Sequence, residues 1–355
     1  MKFLIMAGGT GGHVYPALAI AQHLRDAGHQ IVWMGTPDSF EARVVPQHGF
    51  AIEYVRVGGL RGKGVGKLLT APLVLMRALT QALGVLRRER PQAVLGMGGF
   101  AAGPGGLAAW LRRVPLVIHE QNAAAGMTNR LLSRIATVVL QAFPGTFVRG
   151  RTVGNPVRGG FAELPAPAQR MAHEGPARLL VVGGSQGAKA LNERVPAALA
   201  LMPEALRPEV RHQAGRTLEV AQACYRGAGV AGDVLAFIDD MPAAMAWADL
   251  VVCRAGASTI AELTAAGNAS VLVPFPYAVD DHQTRNGEYV VAAGGAVLVQ
   301  EAELDPQRLA SLLGELLGDR PRLQRMAECA RAAAWVDATQ CIAAECIRAA
   351  AGDKS

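Results

Sequence analysis

Residues 251–286, VVCRAGASTIAELTAAGNASVLVPFPYAVDDHQTRN, contain in order an apolar strand, a small-residue turn, a helix, a second strand and a polar loop. A strand followed by a tight turn and a helix brings unpaired backbone N–H groups and the positive end of a helix dipole to one point, which suits a phosphate. Glu262, expected in about the first helical turn, could accept hydrogen bonds from a ribose diol. The stretch therefore predicts a nucleotide site. The alternative is an ordinary strand–helix unit in which Glu262 is a solvated acid.

Length and composition indicate a two-domain α/β protein. A chain of 355 residues is too long for one typical core. Its 51% hydrophobic content and 41 glycines fit sheets with many tight turns into helices. Five cysteines without paired spacing argue for a reducing compartment, and no Cys/His spacing resembles a metal site. We expect Cys253 to be a buried strand residue.

Two apolar stretches could be mistaken for membrane signals. Residues 1–7 contain one basic residue and a short apolar run, which predicts a first strand rather than a signal peptide. Residues 91–111 are uncharged, but six glycines and two prolines interrupt them. They therefore predict a strand, a glycine-rich loop and a helix rather than a transmembrane span.

Positive charge is concentrated in residues 60–90. This segment has seven basic residues and one acid, a net charge of +6 that equals the net charge of the whole chain. A helix is expected to start at Pro72, and the four consecutive apolar residues after it cannot all face one core. Basic residues beside such a helix suit a membrane surface with anionic headgroups. The residues predicted to contact the membrane are Leu73, Val74, Leu75, Met76, Arg77, Leu79, Arg87 and Arg88.

The same segment has a second interpretation. It could be an unusually apolar helix buried between the sheet and its neighbours, with surface arginines at its end. Nucleic acid is not an expected partner, because the segment has no aromatic residue to stack on bases. The remaining basic residues of the segment are Arg61, Lys63, Lys67 and Arg90.

A glycine-rich loop at residues 8–13, GGTGGH, follows the first strand and precedes a helix predicted over residues 17–27. Glycines at such a turn let the backbone approach a ligand closely. His13 lies where the loop meets the helix, and the dipole there favours a neutral imidazole. A neutral histidine can act as a base or as a hydrogen-bond donor. The alternative is a helix-capping or packing role for His13.

Strands alternate with helical patterns in the rest of the first half, which predicts a parallel sheet covered on both faces. The predicted strands are 30–34, 51–57, 93–97, 116–119 and 138–141. A second glycine-rich loop at residues 96–106 opens another helix. The tetrad HEQN at residues 119–122 lies at the carboxyl end of a strand, where open α/β sheets bind ligands. Because buried polar groups are costly unless they bind something, the tetrad is a candidate site.

The pattern restarts after a linker predicted at residues 154–158. A strand at 178–182, a glycine-rich turn at 183–188 and a helix at 189–201 repeat the order of the N-terminal region. Two similar halves with a cleft between their strand ends are the simplest arrangement. The further strands predicted are 210–213, 234–238, 250–253, 270–273 and 296–299.

Two residues near the restart are candidates for binding an anion. Arg158 could donate two parallel hydrogen bonds from its guanidinium group, and Ser185 could donate one from a hydroxyl at the start of a helix. The alternatives are a surface arginine beside a linker and a plain N-cap serine. The last helix, near residues 339–350, could pack on either domain.

Together these motifs resemble those of the MurG family, the peptidoglycan N-acetylglucosaminyltransferases. The motifs that carry the resemblance are GGTGGH at 8–13, the glycine-rich run at 96–106, HEQN at 119–122, GNPVR at 154–158, GGSQGA at 183–188 and DDHQ at 280–283. They span nearly the whole chain in order, and they are jointly specific. The resemblance implies a two-domain GT-B fold of two Rossmann-like parallel-sheet domains. Residues 1–157 would face the acceptor and the membrane, residues 158–335 would bind the donor, and residues 336–355 would cross back onto the first domain.

The resemblance also implies the reaction. N-acetylglucosamine would pass from UDP-N-acetylglucosamine to the C4 hydroxyl of undecaprenyl-pyrophosphoryl-N-acetylmuramoyl-pentapeptide, giving a β(1→4)-linked disaccharide-lipid for peptidoglycan. The implied partners are these two substrates, the cytoplasmic face of the plasma membrane, where the protein would be peripheral, and other cell-wall synthesis proteins. No cofactor and no metal are implied.

The residues that the resemblance places on UDP-N-acetylglucosamine are Thr10, Gly11, Gly12, Asn122, Arg158, Ser185, Ile238, Ala257, Ser258, Thr259, Ile260, Ala261, Glu262 and Gln283. The first glycine-rich loop would touch the sugar and phosphates, Asn122 the N-acetylglucosamine side, and Gln283 the sugar hydroxyls. Arg158 and Ser185 would hold the diphosphate or uridine region. The backbone of Ile238 would meet the uracil.

Inversion in a single displacement requires a base near the acceptor hydroxyl and a group that stabilises the departing UDP. We predict from its position that His13 is the base. The chain has no Asp-x-Asp metal motif. The helix dipole behind residues 257–262, the glycine-loop amides and Arg158 would therefore stabilise the leaving group, with Glu262 on the ribose.

Two other classes of protein remain open. A UDP-sugar 2-epimerase on the same fold would need no lipid and should lack the basic apolar segment. A non-catalytic lipid-bound scaffold would need no donor pocket, whereas the glycine-rich loops, Glu262 and Gln283 are intact. Binding of UDP would separate a scaffold from an enzyme.

Overall fold

A computed structural model describes the backbone of residues 1–57, 65–161 and 163–352, and the side chains of all of these except residues 65–71. The chain divides into two units. One comprises Met1–Arg158 together with Val336–Ser355, and the other comprises Gly159–Trp335. Two of the basic residues predicted near a membrane, Arg61 and Lys63, lie outside the described residues.

The first unit is built on one parallel sheet of seven strands. Its strands are β1 (Lys2–Met6), β2 (Gln30–Gly35), β3 (Ala51–Tyr54), β4 (Ala93–Gly96), β5 (Leu116–Glu120), β6 (Val138–Gln141) and β7 (Arg151–Thr152). Its helices before residue 158 are α1 (Gly11–Asp26), α2 (Phe40–Gln47), α3 (Val65–Glu89), α4 (Ala102–Leu111) and α5 (Met127–Leu132). The strand order is β3-β2-β1-β4-β5-β6-β7, which reverses direction between β1 and β4. Such a reversal opens a crevice at the carboxyl ends of the strands.

The second unit has a parallel sheet of six strands. Its strands are β8 (Arg178–Val182), β9 (Glu209–Gln213), β10 (Asp233–Leu235), β11 (Leu250–Cys253), β12 (Ala269–Leu272) and β13 (Ala296–Leu298). Its helices are α6 (Pro167–Met171), α7 (Lys189–Leu201), α8 (Leu218–Ala228), α9 (Met241–Trp247), α10 (Ala257–Ala266), α11 (His282–Ala292), α12 (Pro306–Leu317) and α13 (Arg320–Ala332). The order β10-β9-β8-β11-β12-β13 reverses between β8 and β11 and so repeats the order of the first six strands of the first unit, which has β7 in addition.

Alternation along the strands explains why each sheet is covered on both faces. In β1, Phe3 and Ile5 join the core that includes α1, whereas Leu4 and Met6 join the core beneath α3 and α4. Successive strand side chains point to opposite faces, so an uninterrupted apolar strand requires a layer of helices on each side. The prediction of two Rossmann-like parallel-sheet domains is confirmed.

The last helix, α14 (Ala338–Ala351), belongs to the first unit although it follows the second in sequence. It buries Ile342 and Cys346 in the same core as α1. It also packs on β4 and β5. Its apolar face therefore completes the covering of the first sheet.

Two predicted helix starts were wrong. The first helix begins at Gly11, not at residue 17, and α3 begins at Val65, not at Pro72. Pro16 and Pro72 both lie inside their helices. Proline lacks an N–H and so leaves the carbonyl four residues earlier without its helical partner. For Pro16 this is the carbonyl of Gly12, in the exposed first turn, where the loss is tolerated.

The predicted linker at residues 154–158 was also wrong in part. Gly154, Asn155 and Pro156 are buried in the first unit. They follow β7, a two-residue strand that is too short to show the residue pattern by which a strand is recognised in a sequence. The side-chain amide of Asn155 donates to the Gln121 carbonyl at 2.9 Å, which ties this segment to the end of β5.

Within the described parts of the chain, no helix has both the length and the apolar character needed to cross a membrane. All five cysteines are free. As predicted, Cys253 is a buried strand residue. Burial raises the pKa of the Cys253 and Cys346 thiols to about 12, so both remain protonated at neutral pH.

Candidate active site

The two glycine-rich loops of the first unit meet where the strand order reverses. A Cβ on Gly99 would lie 2.7 Å from the Gly8 carbonyl oxygen, and a Cβ on Gly98 would lie 3.2 Å from the His13 ring. Both glycines have positive φ, 99° for Gly98 and 89° for Gly99. Only glycine fits these positions without strain. The loop after β4 therefore packs directly against the loop after β1 and the His13 imidazole.

His13 lies in the first turn of α1 and contacts the tetrad that follows β5. Its Nδ1 is 2.7 Å from Oε1 of Gln121. The Gln121 amide nitrogen in turn lies 3.2 Å from Nδ1 of His119, and Nε2 of His119 lies 2.9 Å from the Gly154 carbonyl oxygen. The predicted catalytic histidine and the predicted polar tetrad thus form one hydrogen-bonded group.

Glu120, the carboxylate of the tetrad, organises the loop that carries Asn122. It accepts hydrogen bonds from the backbone N–H groups of Asn122 and Gly126, both at 3.1 Å, and from the Asn129 side chain at 2.9 Å. The tetrad was predicted as a ligand-binding set, but His119, Glu120 and Gln121 are buried in protein contacts. Of its four residues only Asn122 is half-exposed.

Glu41 supports the first glycine-rich loop, and the sequence analysis missed it. Its carboxylate accepts hydrogen bonds from the Gly9 N–H at 3.0 Å and from the Thr36 N–H and hydroxyl at 3.1 and 2.7 Å. Burial alone would raise the pKa of Glu41, but these hydrogen bonds outweigh it and lower the pKa. A Cβ on Gly8 would meet the carboxylate at 2.5 Å, so Gly8 must be glycine to admit it. The only sequence signal was an acid two residues after the α2 N-cap, Ser39, which also suits an ordinary helix.

In the second unit, the turn after β11 leads directly into α10. Gly256 occupies the N-cap and has no side chain to cap the first-turn N–H groups. Glu262 is the sixth residue of α10, in the second turn rather than the first, and is half-buried. Asn286 of α11 donates to the Ala255 carbonyl at 3.2 Å and holds the turn against α11. An anion could approach these N–H groups at the positive end of the helix dipole.

The loop after β12 presents Gln283 at the start of α11. Its Oε1 accepts from the Phe275 N–H at 2.9 Å, which leaves the amide nitrogen to donate elsewhere. Asp280 and Asp281, just before α11, both adopt left-handed conformations with φ of 54° and 50°. Consecutive left-handed residues other than glycine are strained, and such strain concentrates at ligand-binding loops.

Ser185 and Ile238 both lie at the carboxyl-terminal edge of the second sheet, Ser185 after β8 and Ile238 after β10. Val182 of β8 pairs with Cys253 of β11, so the turn containing Ser185 leaves the sheet beside the turn before α10. Ser185 is exposed and lies before α7, which starts at Lys189, so it is not the N-cap of that helix. Ile238 lies past the end of β10 and lines a cavity of about 200 Å³ with Arg211 and Asp240. That volume is smaller than the roughly 300–1,000 Å³ of a complete small-molecule site.

The other residues predicted to contact UDP-N-acetylglucosamine differ in how exposed they are. Thr10 is the exposed N-cap of α1. Arg158 is also exposed, and it is the last residue of the first unit before the chain enters the second unit. Ala257 and Ile260 are buried, whereas Ser258, Thr259 and Ala261 are half-buried. In the described part of the chain, no group of three or more His, Cys, Asp or Glu side chains is placed to hold a metal ion.

Helix α3 has one buried side and one exposed apolar side. The buried side consists of Ala78, Ala82, Val85 and Leu86. On the other side Leu73 and Met76 are 70% and 64% exposed, and Arg77 and Arg87 are exposed as well. Leu75, near the start of the buried stripe, is also exposed. The interpretation of this helix as fully buried is therefore wrong.

The residues predicted for membrane contact do not all share that surface. Leu79 packs partly buried against the core, because it lies on the same stripe as Ala82 and Leu86. Val74 is half-buried, and Arg88 forms an ion pair with Glu53.

Two neighbouring helices of the first unit also expose apolar and basic side chains that the sequence analysis did not select. Helix α4 packs between α3 and α5. The exposed residues at its end and on α5 are Trp110, Leu111, Arg112, Arg113, Met127, Arg130 and Leu131. These residues are spread over positions 110–131, so they do not form the kind of dense basic segment that a count of charges along the sequence detects.

Two doubly wound units that share the order of six parallel strands, each with a glycine-rich turn at its reversal point, define a glycosyltransferase of the GT-B class. Residues 3–141 match the glycosyltransferase family 28 N-terminal domain, and residues 178–341 match the glycosyltransferase family 28 C-terminal domain. The chain belongs to glycosyltransferase family 28 and, within it, to the MurG family.

Full-length relatives support this assignment. Proteins of Alkalilimnicola ehrlichii and Marinobacter nauticus are each named UDP-N-acetylglucosamine--N-acetylmuramyl-(pentapeptide) pyrophosphoryl-undecaprenol N-acetylglucosamine transferase. The first is 60% identical and covers 99% of both chains, and the second is 55% identical and covers 99% of this chain and 98% of its own. A crystal structure of Acinetobacter baumannii MurG is 40% identical, with a TM-score of 0.88 over 98% of this chain and 99% of that chain.

Proposed function

We propose that this chain transfers N-acetylglucosamine, with inversion, from UDP-N-acetylglucosamine to the C4 hydroxyl of undecaprenyl-pyrophosphoryl-N-acetylmuramoyl-pentapeptide. The product is the β(1→4)-linked disaccharide-lipid. Relatives named as N-acetylglucosamine transferases for this donor and this lipid-linked acceptor are 60% and 55% identical over nearly their whole length. Neither a UDP-sugar 2-epimerase nor a scaffold accounts for that similarity.

The observation that supports the mechanism best is the environment of His13. Its Nδ1 contacts Gln121, and no residue in the described ranges is hydrogen-bonded to its Nε2. A base must have a lone pair within reach of the hydroxyl it deprotonates. In the proposed step Nε2 takes the C4 hydroxyl proton as the oxygen attacks the anomeric carbon. The bond from that carbon to UDP breaks, and UDP leaves with the electron pair.

The second unit offers groups for the departing UDP. The first turn of α10 combines backbone N–H groups with the positive end of a dipole, and both stabilise a diphosphate. We propose that Ser258, Thr259 and Ser185 contact the diphosphate, with Arg158 adding a positive charge. Glu262 would bind the ribose, and Gln283, through its amide nitrogen, the sugar. The backbone of Ile238, at the cavity beyond β10, would meet the uracil.

The exposed side of α3 supports a peripheral position on the cytoplasmic face of the plasma membrane. Leu73 and Met76 lie one turn apart with Arg77 beside them, so apolar and cationic groups share one surface. Apolar side chains can enter the headgroup region, and arginines attract anionic lipid. A lipid-linked acceptor would reach the enzyme at such a surface. We extend the proposed surface to the exposed side chains at the end of α4 and on α5.

Labelled UDP-N-acetylglucosamine and a polyprenyl-pyrophosphoryl-N-acetylmuramoyl-peptide, incubated with the purified protein, test the function directly. We expect disaccharide-lipid and UDP to form in equal amounts, and neither to form without the acceptor. A new UDP-sugar appearing without acceptor would indicate an epimerase. Failure to bind UDP would indicate a scaffold.

A further inference from the structure

The His13 ring is the outer end of a hydrogen-bonded chain that runs into the interior of the first unit. The chain passes from Nδ1 of His13 to the side chain of Gln121, then to the ring of His119, and ends at the Gly154 carbonyl. His119 and Gln121 are fully buried, whereas His13 is half-buried. The groups at the buried end determine the positions of the protons along the chain.

Two backbone carbonyls set the direction of each hydrogen bond. The Gly154 carbonyl can only accept, so Nε2 of His119 carries the ring proton and Nδ1 of His119 has the lone pair. The His119 carbonyl also only accepts, so the Gln121 side-chain nitrogen must be the atom 3.2 Å from it. The same nitrogen donates to Nδ1 of His119. The amide oxygen of Gln121 therefore faces His13.

This orientation leaves the neutral His13 ring with one tautomer. Since the amide oxygen only accepts, Nδ1 of His13 donates to it at 2.7 Å and carries the proton. The lone pair is then on Nε2. A free histidine side chain in water favours the opposite tautomer, which would present a proton at Nε2 instead of a lone pair.

We propose that Gln121 is a positioning residue that holds His13 in the Nδ1–H tautomer, and that His119, anchored on Gly154, holds the Gln121 amide in the required orientation. This inference rests on the proposed role of His13 as the base. With the tautomer set, Nε2 presents its lone pair to the acceptor hydroxyl. When Nε2 takes the proton, Nδ1–H still donates to Gln121, so no hydrogen bond in the chain has to reverse.

The neutrality of His119 supports this arrangement. Burial lowers the pKa of His119 to about 4, the hydrogen bond to Gly154 opposes that shift, and the nearby His13 adds to it. At neutral pH the His119 ring therefore keeps one donor and one acceptor. A protonated His119 would direct an N–H at the Gln121 amide hydrogens and break the chain. Asn155 fixes the Gln121 backbone through its hydrogen bond at 2.9 Å.

The tautomers can be read by nitrogen-15 NMR of the wild-type protein labelled at histidine, at neutral pH and without substrate. We expect His13 to be protonated at Nδ1 and His119 at Nε2. The signals are assigned by loss of one ring in His13→Ala and of the other in His119→Asn. A His13 ring protonated at Nε2 would overturn the proposal without any need for a folded variant of Gln121.

Gln121→Met keeps the length of the side chain but removes both polar atoms. We expect the His13 tautomer to shift toward Nε2–H and kcat to fall about 10- to 100-fold, since a mispositioned base loses much of its contribution. KM for both substrates should not change, because the ground-state contacts remain.

Gln141→Met is the matched control. Gln141 is 3% exposed against 1% for Gln121, lies at the end of the neighbouring strand, and bonds to the Phe147 N–H and the Thr152 hydroxyl. It should lose comparable stability and leave the His13 tautomer and kcat unchanged. If the two glutamine variants match in tautomer and kcat, Gln121 is only structural. Failure of the base assignment is read separately, from the turnover of His13→Ala, because the tautomer is measured without substrate.

Discussion

At the scale of single residues, replacing His13 by alanine removes the proposed base and leaves both glycine-rich loops intact. We expect kcat to fall about 100- to 10,000-fold, the usual contribution of general base catalysis. Binding of UDP should be unchanged, because the proposed donor contacts of the second unit do not involve this ring. The measurements are steady-state transfer to the lipid acceptor and titration with UDP.

His23→Ala is the control for this substitution. His23 is exposed on the same helix, so it reports any loss of α1 stability without touching the loops. Its kcat should equal that of the wild type. If His13→Ala retained most of its turnover, another group would have to be the base.

Glu41→Gln tests the buried carboxylate beneath the first glycine-rich loop. The amide keeps the size of the side chain but replaces an anion that accepts three hydrogen bonds. We expect the free energy of unfolding at pH 7 to fall by about 1–3 kcal/mol. A folded-state pKa below the ordinary value means that the carboxylate stabilises the protein above pH 4.5, and that this stabilisation is lost as pH falls further.

The difference between wild type and Glu41→Gln should therefore shrink in acid. Urea unfolding at pH 7 and at progressively lower pH measures it. Glu193→Gln is the control, at an exposed Lys189–Glu193 ion pair on α7. Its free energy of unfolding should equal that of the wild type at every pH. A constant deficit for Glu41→Gln across this range would contradict the assignment of a charged carboxylate.

At the scale of secondary-structure elements, helix α3 tests the membrane surface. The double variant Leu73→Asp, Met76→Asp should weaken binding to anionic vesicles by more than about tenfold, since each apolar side chain contributes about 1.5 kcal/mol or more when buried. Arg77→Gln should weaken it by about fivefold on anionic vesicles, equivalent to about 1 kcal/mol, and have no effect on neutral vesicles. Co-sedimentation with anionic and with neutral vesicles measures the binding of both variants.

Leu206→Asp is the matched control for the α3 variants. Leu206 is an exposed leucine of the second unit, outside the proposed surface. Its binding to both kinds of vesicle should equal that of the wild type. Equal losses for Leu206→Asp and the double variant would show that the proposed surface on α3 is not specific.

Strand β9 contains a second buried histidine, which makes the second unit sensitive to acid. Burial lowers the pKa of His212 to about 4, and its Nδ1 lies 3.2 Å from the Tyr225 hydroxyl. The unfolded chain binds a proton near pH 6.5 and the folded protein only near pH 4, so stability falls as pH drops between these values. The full loss is about 3 kcal/mol. In His212→Phe this part of the acid sensitivity should disappear, as followed by urea unfolding between pH 7 and pH 4.

The elements show which features a sequence can predict. Parallel strands covered on both faces are continuous apolar runs, so β6 and β11 were predicted with their observed bounds. Helix starts were less accurate, because the first helix was predicted to begin at residue 17, just after Pro16, and α3 at Pro72, whereas both prolines lie inside their helices. Whether a helix tolerates an internal proline depends on how exposed the freed carbonyl is, which is a tertiary property.

The site contacts could be predicted only as groups at strand ends. His13 and Gln121 were both placed at carboxyl ends of strands, which follows from topology. Their hydrogen bond joins residues 108 positions apart and depends on the pairing of β1, β4 and β5. Glu41 was invisible for a similar reason, since its partners Gly9 and Thr36 come together only in the folded sheet.

At the scale of the whole molecule, each unit has its own core, and the chain contributes to the first core twice. Ile342 of α14 is buried with β1 and α1, whereas Leu313 of α12 is buried with β8 and β11. Leu→Ala and Ile→Ala substitutions in a core lower the free energy of unfolding by about 2–5 kcal/mol, because apolar burial is lost and a cavity remains. We expect Ile342→Ala to destabilise only the first unit, despite its position at the end of the chain. Leu313→Ala should destabilise only the second.

Hydrogen exchange followed by mass spectrometry separates these effects, because local and subglobal opening is read peptide by peptide. In Ile342→Ala, peptides from β1, β4 and β5 should exchange faster, and those from β8, β11 and β12 should exchange at the wild-type rate. Leu313→Ala should give the opposite pattern, so the two variants are controls for each other. This pattern is expected because exchange in each sheet is limited by the opening of its own core. If either substitution accelerated exchange in both sheets equally, the two cores would open as one cooperative unit, and α14 could not be assigned to the first unit's stability alone.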